Sequence, residues 1–290
     1  MFPQISIIIP FIEDNSWVKE IIDSCVHLDY PKHLYEVILV YNGSGVLPDY
    51  LVQPSDDVSI TLIKEGMKGP YAARNAGAKI AQGDILLFTD VDCIIDQKWV
   101  QRMILPFNDK QVCAVIGSVR AYCPTTTLEY FGDQYIFNHT TRMFTYFIAG
   151  NGAIRRTVFA DIGGFNATFT SGGDVDLSMR MLQKGMSVYY EPEAVVFHRH
   201  RKTLKNLFKQ YKKYGAGWAR LKTCWGKALP MYSNFKRIFI VIVFMIFSLF
   251  ESIVYMFGPH TAIRKATLLR HFYLGVMHAA FIFGFYFSKN

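Results

Sequence analysis

The first 90 residues alternate short apolar runs with segments of helical periodicity, and this alternation constrains the fold more than any other feature. Ile5–Pro10 is a β-branched run closed by proline, which predicts a strand that enters a loop. From Ser16 onward, apolar residues recur at helical spacing, with Ser16 as a candidate N-cap. Tyr35–Tyr41 predicts a second strand that ends in a turn. Strand, helix and strand at this spacing predict a βαβ unit, and hence a parallel sheet with a right-handed crossover.

The alternation continues with a third strand at Ser59–Ile63, a helix of small residues at Tyr71–Ala81 and a buried strand at Ile85–Phe88. The fold class predicted is therefore α/β, with a Rossmann-like, mostly parallel sheet flanked by helices. No G-x-G-x-x-G follows the first strand and no G-x-x-x-x-G-K-[ST] occurs. The sequence therefore lacks the glycine-rich loops that dinucleotide-binding and P-loop proteins use to hold phosphates. Any phosphates must be held by a metal together with Arg or Lys.

Two aspartates follow the predicted strand Ile85–Phe88. Asp90 and Asp92 are one residue apart, so on an extended strand their side chains would share a face. Two carboxylates on one face repel each other unless a cation lies between them, and Mg²⁺ or Mn²⁺ binds one or two carboxylates plus phosphate oxygens. This predicts a metal-bound nucleotide site at the carboxyl edge of an open sheet. For an isolated D-x-D, a solvated polar strand end is the alternative.

Composition limits the partners without selecting one. The net charge of +8 favours an anionic partner, and nucleotide-sugars, nucleic acid and anionic lipid all qualify. Five scattered cysteines without a C-x-x-C pair favour free thiols in a reducing compartment over a disulfide framework or a zinc site. The N-terminal apolar run is too short for a secretory signal, so none is predicted.

Several short motifs occur together in one order, over roughly residues 4–220. With them the chain resembles the family-2 glycosyltransferases, inverting enzymes with the GT-A fold, of the membrane-associated bacterial type. The resemblance implies a nucleotide-activated sugar as donor, most often a UDP-sugar, and Mn²⁺ or Mg²⁺ as cofactor. The motifs are Ile7-Ile8-Ile9-Pro10, Val40-Tyr41-Asn42-Gly43-Ser44, Gly69-Pro70-Tyr71-Ala72-Ala73-Arg74-Asn75-Ala76-Gly77, Gly83-Asp84, Phe88-Thr89-Asp90-Val91-Asp92, Gly150-Asn151-Gly152-Ala153-Ile154-Arg155-Arg156, Gly163-Gly164-Phe165 and Gly173-Asp174-Val175-Asp176-Leu177-Ser178-Met179-Arg180.

The resemblance implies roles for the residues around the donor. Asp90 and Asp92 match the family's D-x-D, with Asp92 as the direct metal ligand and Asp90 near the ribose or the metal-bound waters. Arg74 matches an arginine at the nucleotide, where its planar fork of donors suits a diphosphate or a base. His198 matches a position where relatives place a histidine that is sometimes a metal ligand, and a structural histidine is the alternative.

Other matched positions line the nucleoside and the sugar. Pro10, Glu13 and Asn42 match the nucleoside pocket, although Tyr41-Asn42 stands where the family commonly has an acidic pair. The Asn42 amide can offer a donor and an acceptor to a base edge, and Tyr41 is interpreted as structural. Gly152 belongs to one of two glycine motifs that are predicted to form backbone turns around the sugar and acceptor pocket, the other being residues 163–165.

Asp174 matches the aspartate of the family's Glu-Asp motif, which implies a general base. It would remove the proton from an acceptor hydroxyl as that oxygen attacks the anomeric carbon from the face opposite the diphosphate. Partial burial would raise its pKa toward a useful range. Gly173 replaces the glutamate of the motif, in the acceptor loop. Asp176, also assigned to the acceptor side, lies four residues before Arg180 on the predicted helix, so an ion pair between them is the alternative.

The last third of the chain is basic and then apolar. Residues 199–213 predict an amphipathic basic helix, for which anionic lipid headgroups on the cytoplasmic leaflet are favoured over nucleic acid. Trp218 lies in a segment that resembles a loop after the catalytic helix, and a donor or acceptor contact and a membrane-interface position are equal alternatives. Ile238–Phe257 is long enough to span a membrane but contains Glu251, and a second apolar stretch runs from about Phe272 to Phe287. An interfacial hairpin is favoured slightly over two spans, and a buried helical pair at an oligomer interface is the third alternative.

The sequence thus predicts a GT-A catalytic domain over residues 1–220 and a membrane-associated helical region over residues 221–290. The predicted enzyme moves a sugar to a hydroxyl of a lipid-linked or oligosaccharide acceptor at the inner (plasma) membrane, with its catalytic domain in the cytoplasm and no nucleic-acid partner. The non-enzyme alternative is a degenerate relative that binds a nucleotide-sugar and scaffolds a membrane assembly. A sugar-1-phosphate nucleotidyltransferase is excluded because Pro10–Glu13 is not a glycine- and arginine-rich loop.

Overall fold

The computed structural model describes residues 2–13, 15–46, 58–135, 145–229 and 262–287. The chain divides into two compact units. The sheet unit consists of residues 1–122 and 138–199, and the helical unit consists of residues 123–137 and 200–290.

Strands and helices alternate along most of the chain. The strands are β1 Ile5–Phe11, β2 Tyr35–Tyr41, β3 Ser59–Lys64, β4 Ile85–Thr89, β5 Cys93–Ile95, β6 Ala114–Ala121, β7 Asn151–Arg155 and β8 Val188–His198. The α-helices are α1 Ser16–Val26, α2 Pro70–Ile80, α3 Trp99–Ile104, α4 Thr127–Tyr135, α5 Arg156–Asp161, α6 Gly173–Gln183, α7 Leu204–Trp225 and α8 Ala262–Phe287. Short 3₁₀ turns lie at Lys32–Leu34, Leu105–Asn108 and Gly226–Ala228.

One mixed sheet with the strand order β3-β2-β1-β4-β7-β6-β8-β5 forms the core of the sheet unit. Strands β3, β2, β1 and β4 run parallel, β7 runs antiparallel to β4 and β6, β8 is parallel to β6, and β5 is antiparallel to β8. The central strands are buried on both faces, which explains why β1, β2 and β4 read as continuous apolar runs. The predicted mostly parallel α/β sheet is confirmed.

Two local predictions at the first βα unit are corrected. The N-cap of α1 is Asn15, whose side chain accepts a hydrogen bond from the Trp17 N–H at 3.0 Å, so Ser16 is the first helical residue. Pro10 lies within β1 and does not end it. The pairing of β1 with β4 stops at Ile8, whereas its pairing with β2 continues to Phe11, so the proline occupies a stretch that is paired on one side only.

Helix α2 approaches the sheet closely, as its small residues predicted. A Cβ atom added at Gly77 would lie 2.6 Å from Cγ2 of Ile8 in β1 and 3.1 Å from Cγ2 of Val40 in β2. Close approach at this point brings the buried Arg74, one turn earlier in α2, against the sheet.

The helical unit is held by a capping box and a helix crossing. Glu129 is buried, and its Oε2 accepts hydrogen bonds from the backbone N–H and hydroxyl groups of Thr125 and Thr126 at 3.0–3.1 Å, which fixes the start of α4. Helices α7 and α8 touch through their backbones, because a Cβ at Gly215 would lie 1.9 Å from the carbonyl oxygen of Phe281. Leu128 of α4 packs in one apolar cluster with residues of α7 and α8.

The predicted loop around Trp218 is wrong, because Leu204–Trp225 is one continuous helix. The Trp218 ring lies beside Phe281 of α8, with centroids 6.4 Å apart. In α8, the segment Leu268–Phe287 is long and apolar enough to cross a membrane. The predicted span Ile238–Phe257 lies outside the described residues, and the predicted domain boundary at residue 220 falls inside α7 and stays a prediction.

We expect Gly77→Val to lower the free energy of unfolding by roughly 1–3 kcal/mol, because the new side chain must push apart α2, β1 and β2. Chemical denaturation followed by far-UV circular dichroism measures the change. Gly66→Val is the matched control, since an added Cβ at Gly66 meets nothing within 4 Å. Equal midpoints for the two variants would contradict the close packing of α2.

Candidate active site

The two aspartates of the D-x-D sequence lie in a turn and not on a strand. β4 ends at Thr89, and the Cys93 N–H donates to the Asp90 carbonyl oxygen at 3.1 Å, which closes a turn before β5 begins. The expectation that Asp90 and Asp92 share a strand face is therefore wrong, because the backbone reverses direction between β4 and β5. The two carboxylates still interact, and the charge of Asp92 is one of the causes that raise the pKa of Asp90.

Arg74 is the cation of this site. Its side chain is buried, and its Nη2 donates to Oδ1 of Asp90 in an ion pair. Removal from water raises the pKa of Asp90, while the Arg74 charge opposes that shift. The Arg74 Nε is buried and has no hydrogen-bond partner in the described part of the chain. An unmet donor on a buried guanidinium is a group that an anionic ligand can satisfy.

Space beside Asp90 is provided by Gly150. A Cβ added at Gly150 would lie 2.9 Å from Oδ2 of Asp90. Gly152 was predicted to lie in a turn at the site, but it lies inside β7, where it pairs with Phe88 and Ile116. The prediction of a turn at Gly152 is wrong, since the turn of this motif precedes the strand. Gly150 was in the quoted motif, and only the turn geometry identifies it as the glycine that faces Asp90.

Asp92 and His198 form the second polar pair of the site. The His198 Nε2 lies 3.4 Å from Oδ2 of Asp92, and both side chains are largely buried. The pairing of β5 with β8 sets Cys93 opposite His198, and the Arg199 N–H donates to the Asp92 carbonyl oxygen at 2.9 Å. A short antiparallel pair thus brings together two residues that are far apart in sequence.

The pair of Asp92 and His198 fits a divalent metal whose coordination a ligand completes. No group of three or more His, Cys, Asp and Glu side chains among the described residues has the arrangement of a metal centre. Mg²⁺ and Mn²⁺, however, bind one or two carboxylates together with substrate phosphates, and imidazole is a ligand for transition metals. One carboxylate and one imidazole are therefore enough where phosphate oxygens supply the other positions.

Asp174 lies in the first turn of α6 and is held by two donors. The Tyr71 hydroxyl donates to its Oδ1 at 3.1 Å, and the Val175 N–H donates to the same oxygen at 3.1 Å. Loss of hydration raises the pKa of Asp174, and the charge of Arg74 and the Tyr71 hydrogen bond oppose that shift. Arg74 therefore lies within electrostatic reach of both Asp90 and Asp174.

The predicted nucleoside residues divide into a buried and an exposed group. Asn42 is buried, and both of its amide hydrogens are donated to the carbonyl oxygens of Glu65 and Met67 at 2.8 Å. Its Oδ1 accepts from the Gly69 N–H at 2.8 Å, so a contact between Asn42 and a base stays a prediction in which only Oδ1 can take part. Pro10 is buried in β1 and Glu13 is exposed.

Three further predictions concern neighbouring residues. Asp176 and Arg180 form the i, i+4 ion pair that was the alternative, with the Arg180 Nη2 2.9 Å from the Asp176 Oδ2. The Asp176 carboxylate is therefore engaged within α6. Tyr41 is structural as interpreted, because its hydroxyl accepts from the Gly45 N–H at 3.0 Å. Gly173 faces the Tyr71 ring, a contact that the sequence did not predict. A glycine in place of an acidic residue was the available signal that a bulky group lies beside it.

The structure brings five predicted residues of the sheet unit into one chain of interactions. Their contacts and charges link Arg74 to Asp90 and Asp174, Asp90 to Asp92, and Asp92 to His198. Trp218 belongs to the helical unit.

The chain is similar to known proteins over most of its length. Residues 6–171 match the profile of "Glycosyl transferase family 2", and residues 100–287 match that of "Glycosyl transferase family group 2". The chain is 29% identical over 218 residues to glycosyltransferase AglE of Haloferax volcanii, covering 72% of this chain and 71% of that protein. It is 26% identical to the O-antigen chain rhamnosyltransferase RfbN of Salmonella typhimurium, covering 72% and 70%. Against some other curated relatives, the chain spans only 47% to 55% of their length.

A solved structure supports the fold over almost the whole chain. The mannosyltransferase PcManGT from Pyrobaculum calidifontis, solved in complex with GDP-Man and Mn²⁺, superposes with a TM-score of 0.70 at 16% identity. The superposition covers 99% of this chain and 88% of that one. The predicted GT-A-like fold class is thereby confirmed. Because the family profile matches more than half of the chain, the chain belongs to glycosyl transferase family 2 and is a glycosyltransferase.

Proposed function

We propose that the protein is an inverting glycosyltransferase that moves a sugar from a nucleotide-sugar, in the first instance a UDP-sugar, to a hydroxyl of a lipid-linked or glycan acceptor. The observation that carries this proposal is the position of Arg74, which pairs with Asp90 and is within electrostatic reach of Asp174. Groups suited to hold a diphosphate and a group suited to act as a base therefore belong to one site.

Arg74 binds the donor through its diphosphate. The unmet Nε of Arg74 is satisfied by a phosphate oxygen, and the guanidinium offsets negative charge that grows on the departing nucleotide. Asp92 and His198 would hold Mn²⁺ or Mg²⁺. When bound, the metal supplies further positive charge beside the leaving group. Asp90 orients Arg74 and would lie near the ribose or the metal.

Asp174 supplies the base for the acceptor. It takes the proton from the acceptor hydroxyl while that oxygen forms a bond to the anomeric carbon, and the bond from that carbon to the diphosphate oxygen breaks on the opposite face. The nucleoside diphosphate leaves, and the configuration at the anomeric carbon is inverted. The raised pKa of Asp174 makes its carboxylate a better proton acceptor than an exposed aspartate.

A membrane surface is the proposed location, with the catalytic domain in the cytoplasm at the inner (plasma) membrane. On α7, Lys205 and Lys209 are exposed beside the exposed Phe208. The Phe208 ring lies 6.2 Å from that of Phe283 in α8, and the Lys212 Nζ lies 4.9 Å from the Phe283 ring centroid. Exposed aromatic rings next to lysines suit an anionic lipid interface.

A catalytically degenerate donor-binding or scaffold protein is the second candidate. It is favoured by Asn42, whose amide hydrogens are used inside the chain, and by the absence of a side chain at Gly173. The two candidates differ in whether Asp174 is needed for turnover.

The first test is donor binding across a panel of UDP- and GDP-sugars by calorimetry, with Mn²⁺, with Mg²⁺ and with a chelator. We expect one donor to bind with metal and Asp92→Asn to weaken that binding more than tenfold, because the variant removes a carboxylate ligand. Asp29→Asn, which changes an exposed aspartate elsewhere in the sheet unit, is the control. Failure of every donor to bind the wild type would reject the proposal.

The second test separates catalysis from binding. Asp174→Asn should lower kcat for sugar transfer or donor hydrolysis by roughly 10²–10⁴-fold, because general-base catalysis contributes about that much, while the donor Kd stays the same. In the wild type, kcat/KM should fall as pH drops through the pKa of Asp174, since only the ionised carboxylate accepts a proton, and this fall should lie above the ordinary aspartate range. Full turnover in the variant would favour another base, and no turnover in the wild type would favour the scaffold.

The third test concerns the membrane. Replacing Lys205 and Lys209 by glutamine should lower the affinity for vesicles that contain phosphatidylglycerol by roughly 30-fold, as measured by co-sedimentation. The reason is that each lysine near an anionic surface contributes about 1 kcal/mol to binding. Lys98→Gln with Lys110→Gln removes the same charge from exposed positions of the sheet unit and serves as the matched control. Equal losses in the two double variants would indicate a general charge effect and not a lipid-binding surface on α7.

A further inference from the structure

Tyr71 is a buried residue of α2, the proposed donor-binding helix, and it contacts the predicted base. It is the second residue of α2, only 6% of its surface is exposed, and its hydroxyl donates to Oδ1 of Asp174 at 3.1 Å. The ring packs on Phe165 with centroids 5.3 Å apart. Arg74 lies one turn further along α2, with its Cζ 5.8 Å from the Tyr71 ring centroid. The phenol is therefore fixed by its surroundings before any ligand binds.

The room for this ring comes from Gly173. A Cβ at that position would lie 2.7–2.9 Å from three atoms of the Tyr71 ring, closer than packed carbon atoms approach. Gly173 directly precedes Asp174, so the missing side chain lets the ring reach the base. The contact between Tyr71 and Asp174 thus depends on the absence of a side chain at Gly173.

The two donors at Asp174 engage the same oxygen. The Tyr71 hydroxyl and the Val175 N–H both donate to Oδ1, so neither of these two donors occupies Oδ2. Two donors from fixed groups hold the carboxylate in one orientation. Because burial raises the pKa of Tyr71 well above its ordinary value, the phenol stays protonated and remains a donor at any working pH.

We propose that Tyr71 is a positioning residue for catalysis, one that holds the Asp174 carboxylate with Oδ2 turned toward the acceptor and favours its ionised form. This inference rests on the proposed function, in which Asp174 is the base. The charged group that faces Asp174 from α2 is Arg74, and on α6 itself the carboxylate of Asp176 is neutralised by Arg180. Tyr71 is the uncharged side chain that donates to Asp174.

Tyr71→Phe keeps the ring and removes the donor. The assay is hydrolysis of the nucleotide-sugar that binds in the donor panel, with water as acceptor, measured across pH. We expect kcat to fall about tenfold with the donor KM and calorimetric Kd unchanged, as for the loss of one hydrogen bond to a charged group. The acid limb of the kcat/KM profile should move to higher pH, because a donor that stabilises the ionised carboxylate is gone.

Tyr30→Phe is the matched control, since it removes a hydroxyl that donates to the Pro3 carbonyl oxygen at 2.6 Å, away from the site. It should leave kcat and the pH profile as in the wild type. Gly173→Ala is the second variant, because its new methyl group displaces the Tyr71 ring but keeps the hydroxyl, and it should change kcat and the acid limb in the same direction. Gly173→Ala carries the test if Tyr71→Phe does not fold.

A double variant shows whether Tyr71 acts through Asp174. In Tyr71→Phe/Asp174→Asn, the tyrosine change should cause no loss beyond that of Asp174→Asn. The inference is overturned if Tyr71→Phe retains the kcat and pH profile of the wild type, if it raises the donor Kd instead, or if the two losses multiply. Those outcomes leave the proposed function intact. An Asp174→Asn variant with full activity overturns the inference together with the assignment of Asp174 as the base, and a wild type that hydrolyses no nucleotide-sugar overturns both the inference and the proposed function.

Discussion

The ion pair between the buried Arg74 and Asp90 is the interaction on which the rest of the site depends. A guanidinium removed from water is costly unless a carboxylate and further acceptors satisfy it, and Asp90 supplies one such group while Nε stays unmet. The position of the pair follows from packing, since α2 can bring Arg74 to the end of β4 only because Gly77 lets the helix rest on β1 and β2. The pair of Arg74 and Asp90 is thus built into the contact between one helix and the sheet.

The remaining polar groups are held by backbone pairing and not by the D-x-D sequence itself. The three-residue β5 and the end of β8 form the antiparallel pair that places Asp92 at His198, and the Arg199 N–H fixes the Asp92 carbonyl. The Arg199 side chain forms an ion pair with Glu20 and lies over the rings of Trp17 and Tyr122. The segment that carries His198 is therefore anchored from α1 as well, which gives a short strand pair the rigidity that a ligand site requires.

Much of the fold could be predicted because its signals are local. The apolar runs of β1, β2 and β4 predicted those strands to within one or two residues. The resemblance pointed to Arg74, Asp174 and His198 as candidates, and their roles stay predictions. What failed lies in local backbone geometry and in strand pairing. The turn at Asp90 is closed by the Cys93 N–H three residues on, and the helix through Trp218 is unbroken, whereas the strand position of Gly152 follows from its pairing with β4 and β6. The Tyr71 hydrogen bond joins residues 103 positions apart, and no pattern within either segment encodes it.

Asparagine side chains in the sequence motifs join separate segments of the sheet unit, and their hydrogen-bond donors are engaged there. Asn75 exchanges two hydrogen bonds with the backbone of Phe165, at 2.7 and 2.9 Å, and Asn151 bonds Trp99 and the carbonyl oxygens of Ser118 and Ala194. Asn42 likewise donates its amide hydrogens to the carbonyl oxygens of Glu65 and Met67. A side chain whose donors are satisfied internally can shape a pocket but cannot donate to a base without breaking those bonds. At these three positions, donation to a nucleotide base is therefore left to backbone groups and to side chains that the fold does not already use.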